Sequence, residues 1–204
     1  MLDFSVPYKD ILMVRQDVPA GPPVLPEGYA FKMYGAGDER HWARIEASVK
    51  EFDDEAQALA YFERVYLPHA DLLPQRLFFV VDPTGKPVGN SSAWFETIDG
   101  KDCAKVHWVA VQPDQQGKGL GKAAVLKTLE IMKALDPGKP ILLHTQTWSH
   151  KAIRIYLRAG FRPIRRYGLI GRERCLFPEA CSVLRGVFEP QTFRLFLEEA
   201  VCWH

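Results

Sequence analysis

Much that would send a chain out of the cell, into a bilayer or onto nucleic acid is missing from these 204 residues. No apolar run approaches the roughly 20 residues that a membrane span requires. The N-terminus lacks the basic-then-apolar layout of a signal peptide. Neither sign of charge is in excess: 26 Lys and Arg stand against 25 Asp and Glu, so no basic footprint for nucleic acid is expected. Arg165-Arg166 and Arg172-x-Arg174 form a local basic cluster that a solvated loop explains. Cysteine is scarce. Cys103, Cys175, Cys181 and Cys202 show neither C-x-x-C spacing nor a secreted context, which reads as reduced thiols in a cytoplasmic protein without zinc or another metal. Internal repeats and low-complexity tracts are lacking as well.

What is present is an alternation of short β-branched and aromatic runs with amphipathic stretches. Strands are expected at 11–16, 29–34, 76–81, 88–98, 105–111, 141–147 and 161–166, with an Asp82-Pro-Thr-Gly-Lys86 turn joining the third and fourth. Helices are expected from Asp38 as N-cap to Val49, from Asp54 through Tyr66, at 119–135, at 150–159 and at 190–201. The length suits one domain with extensions: a leading strand and Pro-rich connector over 1–27, a core over 28–170, and a tail over 171–204. One early hairpin among alternating strands and helices implies a mixed α/β sheet with helices on both faces.

Residues 106–127 carry the strongest chemical signal. A strand, Val106-His-Trp-Val-Ala-Val111, runs into a loop with Gly117, Gly119 and Gly121, and a helix starts at the last glycines. Glycines free the backbone, exposed N–H groups donate, and the helix dipole favours negative charge, so a phosphate-bearing ligand is expected here beside Lys118 and Lys122. A Rossmann fingerprint fails, because Lys122 stands where the third glycine belongs and no carboxylate follows near Ile141. A Walker loop fails too: Gln116 occupies its first glycine position and Ala123 its Ser/Thr position.

Gln116-x-x-Gly119-x-Gly121 behind a Val-x-Val-x-Pro strand instead resembles the acetyl-CoA loop of the GNAT superfamily of N-acetyltransferases. A second segment, Ser149-x-x-Ala152-Ile153-x-Ile155-Tyr156-x-x-x-Gly160-Phe161, is similar to the family's Asn-x-x-Ala-Ile-x-Leu-Tyr-x-x-x-Gly-Phe, with Ser149 in place of asparagine. The resemblance covers about Tyr29 to Arg166 and is close from Cys103 onward. It implies a mixed, mostly antiparallel central sheet whose two middle strands splay to admit the cosubstrate.

The resemblance also implies residue roles. Val109, Ala110 and Val111 lie along pantetheine, with backbone N–H groups from Val109 and Val111 and with Trp108 and Ala110 turned to the opposite face. Gln116, Gly117, Lys118, Gly119, Leu120, Gly121 and Lys122 hold the pyrophosphate, and Ser149 adds to the cofactor site. Tyr156 sits where the family's general acid to the coenzyme A thiolate sits. Base candidates are His107 on the strand before the loop, His144 on the next strand, and Glu96 on the hairpin; ordered water without a dedicated base is the alternative.

The acceptor side is less constrained. Trp42, Glu46, Glu51, Phe52, Asp53, Asp54 and Glu55 fall where the family's acceptor wall lies, and acids beside aromatics attract a cationic amine, although capping by Asp53 or Asp54 and a solvated face are the better explanation. Phe193, Phe196, Leu197 and Ala200 make an apolar stripe that covers the protein's own core or forms a homodimer contact. Residues 2–16 pair with a sheet edge, swap with a partner or rim the acceptor site. The implied activity is acetyl transfer from acetyl-CoA to a primary amine of a small molecule, in a ternary complex. The alternatives are a peptide or protein N-acetyltransferase and a non-catalytic acyl-CoA sensor.

Overall fold

In a computed structural model the described residues are 2–15, 21–98, 100–167 and 177–203. Gln16, Pro19, Arg172, Arg174 and Cys175, which the sequence reading used, lie outside them. The elements follow in order β1 (Asp10–Arg15), β2 (Ala30–Met33), α1 (Glu39–Ser48), α2 (Glu55–Val65), α3 (Leu73–Arg76), β3 (Leu77–Val81), β4 (Pro87–Ile98) and β5 (Lys101–Val111). Then come α4 (Leu120–Leu135), β6 (Ile141–Gln146), α5 (His150–Arg158), β7 (Arg162–Tyr167), α6 (Phe177–Leu184), α7 (Pro190–Glu198) and β8 (Val201–Trp203). The strands hydrogen-bond in the order β2-β3-β4-β5-β6-β1-β7-β8, mostly antiparallel, with β7 and β8 parallel. The expected mixed sheet is therefore present. No helix among the described residues is long and apolar enough to cross a membrane.

The chain divides into two compact units. Unit one comprises Gly21–Trp94 and Val106–Pro137. Here β3 reads Leu-Phe-Phe-Val without alternation because it is covered on both sides: Leu77, Phe78, Phe79 and Val80 are all fully buried. Strand β4 shows both covers in its side chains. Ser91 donates to the Thr128 hydroxyl of α4 at 2.7 Å, while its neighbours Asn90 and Ser92 reach Glu46 of α1 and Tyr66, the residue closing α2. Thr128 in turn donates to the Ala124 carbonyl, which leaves Ser91 as the donor between them.

Helix starts follow two different chemistries. Asp54 caps α2 as expected, its carboxylate accepting from the Gln57 N–H at 2.8 Å. Asp38 stands at the N-cap position of α1 but does not cap it. Its carboxylate accepts instead from Lys32 Nζ at 2.8 and 3.0 Å and from the Gly35 N–H at 2.9 Å, because a basic partner on β2 outcompetes the helix amides. At the far end of α4, Asp136 would oppose the helix dipole. Arg76 offsets it, donating to both Asp136 oxygens at 2.7 and 3.3 Å and to the Ala93 carbonyl at 2.9 Å.

Unit two comprises the described residues of 2–20, 95–105 and 138–204. The leading strand is not an edge. β1 lies between β6, register Asp10 to Gln146 through Arg15 to Ile141, and β7, where Met13 faces Pro163. A strand with Ile11, Met13 and Val14 buried and Arg15 donating to the Ala159 carbonyl at 2.7 Å needs neighbours on both sides. The segment before it is clasped as well: Trp148 Nε1 donates to the Val6 carbonyl at 2.9 Å and Thr147 Oγ1 to the Pro7 carbonyl at 2.6 Å. In the tail, α7 stops at Glu198, three residues short of the helix expected through Val201, and Val201 opens β8. Phe196 is fully buried and stacks on Phe177 at 5.5 Å, so the apolar stripe meets this unit's own core through Phe196, while Phe193, Leu197 and Ala200 are half-buried.

Removing Asp136 strips the Arg76 guanidinium, its side chain 13 % exposed, of the carboxylate it faces. Asp136→Ala is expected to cost about 3 kcal/mol of unfolding free energy by urea titration, whereas loss of the exposed Lys127–Glu130 pair through Glu130→Ala stays below about 1 kcal/mol.

Candidate active site

The loop between β5 and α4 is built as an anion cradle. Gly117 and Gly119 hold φ of 82° and 84°, and a Cβ at either would meet nothing within 4 Å, so open space lies above the backbone. Helix α4 begins without a side-chain cap and without an acid in its first turn. Its first amides and the positive dipole end are thus directed at that space, beside the exposed Lys122. Lys118 is anchored rather than loose, donating to Gln115 Oε1 at 2.7 Å and to the Tyr29 hydroxyl at 3.0 Å. Gln116 spends its carboxamide on the protein, Nε2 donating to the Val111 carbonyl at 2.8 Å, which pins the loop to the end of β5. These donors fit a diphosphate.

One turn of chain earlier, β5 departs from a regular strand. Trp108 has φ of 52°, a left-handed conformation unusual for a bulky residue. The carbonyls of His107 and Trp108 both accept side-chain donors from β4: Ser92 Oγ at 2.9 Å and Asn90 Nδ2 at 3.0 Å. In a regular strand consecutive carbonyls point to opposite neighbours. Here two in succession turn to β4. Since C=O and N–H of a trans peptide point in opposite directions, the N–H groups of Trp108 and Val109 both turn away from it. Two adjacent amides facing one way form a small nest of the kind that receives an oxyanion.

The bulge also breaks the alternation that the sequence pattern predicts, in which Trp108 faces away from its odd-numbered neighbours. His107 and Trp108 both contact α2: the Tyr66 hydroxyl lies 2.9 Å from His107 Nδ1, and Trp108 Nε1 donates to the Tyr61 hydroxyl at 3.2 Å. Ala110 and Val111 are both buried. The hydrogen-bond chain fixes a tautomer. Ser92 spends its one hydrogen on the His107 carbonyl, so at 2.8 Å it accepts from Tyr66, and Tyr66 accepts from His107 Nδ1–H. Nε2 of the neutral imidazole then carries the lone pair, 3.5 Å from the Tyr61 hydroxyl. Burial holds the Tyr66 phenol well above its ordinary range, so it stays neutral in this chain.

Glu46 on α1, read from sequence as part of an acidic wall, is 1 % exposed. Its Oε1 accepts from Asn90 Nδ2 at 2.7 Å. Burial pushes its carboxyl up to about 8; the Asn90 N–H opposes that rise and the Glu51 charge adds to it. Sequence reasoning passed over Asn90, Ser92 and Tyr66. A signal was available: Asn90-Ser91-Ser92 puts three polar residues in a strand otherwise read as core, where each needs a partner.

The other expected site residues belong to unit two. Tyr156 lies on α5, 7 % exposed, its ring edge-on to Phe161 at 6.1 Å. His144 on β6 pairs through Nε2 with Asp10 at 2.9 Å, and Asp10 also accepts from the Tyr8 hydroxyl. Glu96 on β4 pairs with Lys105 Nζ at 3.0 Å. Ser149 occupies the N-cap position of α5 without capping it by its side chain. Unit one holds His107, Val109, Ala110, Val111 and the loop from Gln116 to Lys122.

Residues 39–161 match the acetyltransferase (GNAT) family. An N-acetyltransferase of Methanocaldococcus jannaschii, itself uncharacterized, is 35 % identical over 88 residues, 41 % of this chain and 38 % of that one. A mycothiol acetyltransferase of Cellulomonas flavigena is 29 % identical over 161 residues, 70 % of this chain and 43 % of that one. The chain thus spans about two fifths of the length of these curated relatives. A GCN5-related N-acetyltransferase from Sphaerobacter thermophilus shares the fold with a TM-score of 0.59 at 21 % identity, over 77 % of this chain and 49 % of that one. This chain belongs to the GNAT family.

A carboxyl raised in the folded state binds its proton more tightly there than in the unfolded chain. That contribution is complete below the unfolded value, near 4.5, and is lost as pH rises through about 8. Urea unfolding at about pH 5.5 and about pH 8.5 is therefore expected to show a fall in stability toward high pH that Glu46→Gln reduces. Equal slopes for the two proteins would contradict the buried-carboxyl assignment.

Proposed function

We propose that this chain transfers the acetyl group of acetyl-CoA to a primary amine of a small molecule, by direct attack within a ternary complex. The observation that carries the reading is the pair of amides at Trp108 and Val109 turned away from β4, upstream of an uncapped helix N-terminus. Acetyl-CoA supplies an activated thioester and a diphosphate; the nest fits the carbonyl of the first and the α4 cradle fits the second. A relative named for mycothiol acetylation supports a small-molecule acceptor.

Backbone along Val109, Ala110 and Val111 aligns the pantetheine, and amides from Gly117 to Lys122 receive the phosphates, with Lys118 and Lys122 adding positive charge. Gln116 keeps the loop attached to β5. His107 takes the proton of the incoming ammonium at Nε2, directly or through one water. Its tautomer favours it over His144 and Glu96, which are engaged with Asp10 and Lys105. Tyr156 returns a proton to the departing thiolate.

Acetyl-CoA-dependent thiol release across polyamines, aminoglycosides, amino acids, arylalkylamines and short peptides tests the activity. Release with one small-amine class is the expected result. Calorimetric binding of acetyl-CoA without release from any of them contradicts it, as does release with peptides alone. Gly119→Glu is expected to weaken acetyl-CoA binding more than about 100-fold, because the carboxylate fills the phosphate position. Gly119→Asn, which tolerates a left-handed backbone and carries no charge, is expected to keep far more of it. Tyr156→Phe is expected to lower turnover by about 10-fold or more with acetyl-CoA affinity nearly unchanged.

A further inference from the structure

Most buried polar groups in unit one are accounted for by a helix, a strand or the His107 chain. Asn90 is not. It is fully buried, and its Oδ1 has no hydrogen-bond partner, a deficit that costs roughly 1–3 kcal/mol. An apolar residue would avoid that cost, so stability does not explain an asparagine at this position. What its carboxamide does is donate both N–H hydrogens. One goes to Glu46 Oε1 at 2.7 Å, the other to the Trp108 carbonyl at 3.0 Å. Turning the amide over would set Oδ1 against the Trp108 carbonyl, an acceptor against an acceptor, so the assignment follows from the network.

Trp108 pays for its left-handed backbone with strain of about 1–3 kcal/mol, and such a conformation persists only where its surroundings enforce it. The indole is held at one end by Tyr61 and packs edge-on to Trp42 at 5.8 Å. At the other end the carbonyl is held by Asn90 alone among the described side chains. That carbonyl belongs to the peptide whose N–H is the Val109 amide. Whatever rotates the carbonyl rotates the amide with it.

We infer that Asn90, itself oriented by Glu46, is the positioning residue that aims the Val109 amide at the acetyl carbonyl. The inference rests on the acetyltransferase reading above. Neither side chain touches a reacting atom; both act through the Trp108 peptide. Glu46 serves as a buried acceptor, a task for which its charge is unnecessary and its oxygen essential.

The test follows the carbonyl of bound acetyl-CoA, labelled with carbon-13 at that atom, by isotope-edited infrared spectroscopy, a reading that needs no acceptor amine, and adds kcat measured with an amine that supports thiol release. In the native protein the band moves to lower wavenumber than in water. Asn90→Ala loses most of that displacement, and kcat falls on the order of 100-fold, the cost of one misplaced oxyanion donor. The KM for acetyl-CoA stays within about twofold, because the phosphate cradle is untouched. Glu46→Gln keeps an oxygen for Asn90 and retains both the band and kcat; Glu46→Leu loses much of both. Calorimetric acetyl-CoA binding certifies each variant as folded, and should Asn90→Ala fail it, Glu46→Leu reads the same contact from its other end. An unshifted band position and kcat in Asn90→Ala or Glu46→Leu overturn the inference, as does a Glu46→Gln variant as impaired as Glu46→Leu. Failure of the native protein to bind acetyl-CoA is a separate result, and it overturns the acetyltransferase reading itself.

Discussion

A left-handed residue inside a half-buried strand sets the problem that the rest of unit one solves. Once Trp108 adopts φ of 52°, two consecutive β5 carbonyls face β4, and the regular ladder has no donors for both. Side chains must supply them, which explains why β4 carries Asn90 and Ser92 in its core. Those donors need partners of their own, which explains a carboxyl on α1 and a phenol beyond α2, both buried. The same bulge turns His107 and Trp108 onto one side, toward the aromatic packing of Trp42, Tyr61 and Tyr66. Polar burial of this kind is costly, and here each group's cost traces back to one peptide.

The two ends of α4 show a complementary division of labour. At its N-terminus no side chain competes for the first amides, and the preceding glycines leave open space above them. The dipole is left for an external anion. At its C-terminus the structure closes the electrostatics internally, with Asp136 and Arg76 bound to one another and to the β4 backbone. A helix fixed firmly at one end and unsatisfied at the other holds its donors in place before any ligand arrives, so little ordering cost remains for binding.

Much of this was readable in the residues, and the exceptions have physical causes. Strand and helix positions followed from periodicity, and the glycine loop from turn chemistry and charge; family membership rests on the match over 39–161. The bulge was not readable, because Trp108 obeys the strand pattern and nothing local marks a left-handed backbone at a tryptophan. His107 and Trp108 were therefore assigned opposite faces. Asp38 looked like a cap because capping is a local preference, whereas Lys32 reaches it only through the β2 fold. The leading strand was identified, but its place between β6 and β7 depends on pairings more than 100 residues apart in sequence. α3, α6 and β8 were missed, and β5 begins at Lys101 rather than Lys105. Roles for Tyr156, His144, Glu96 and Ser149 came from resemblance, and their chemistry is argued as a proposal.

If the amides of Trp108 and Val109 receive the acetyl carbonyl, their proton resonances report it directly. Nitrogen-15-labelled protein titrated with acetyl-CoA, and separately with coenzyme A, isolates that contact, since the two ligands share the phosphates and pantetheine. Both amide protons are expected to move downfield with acetyl-CoA beyond any change that coenzyme A produces. Identical spectra at Trp108 and Val109 with the two ligands would contradict the oxyanion nest and the mechanism built on it.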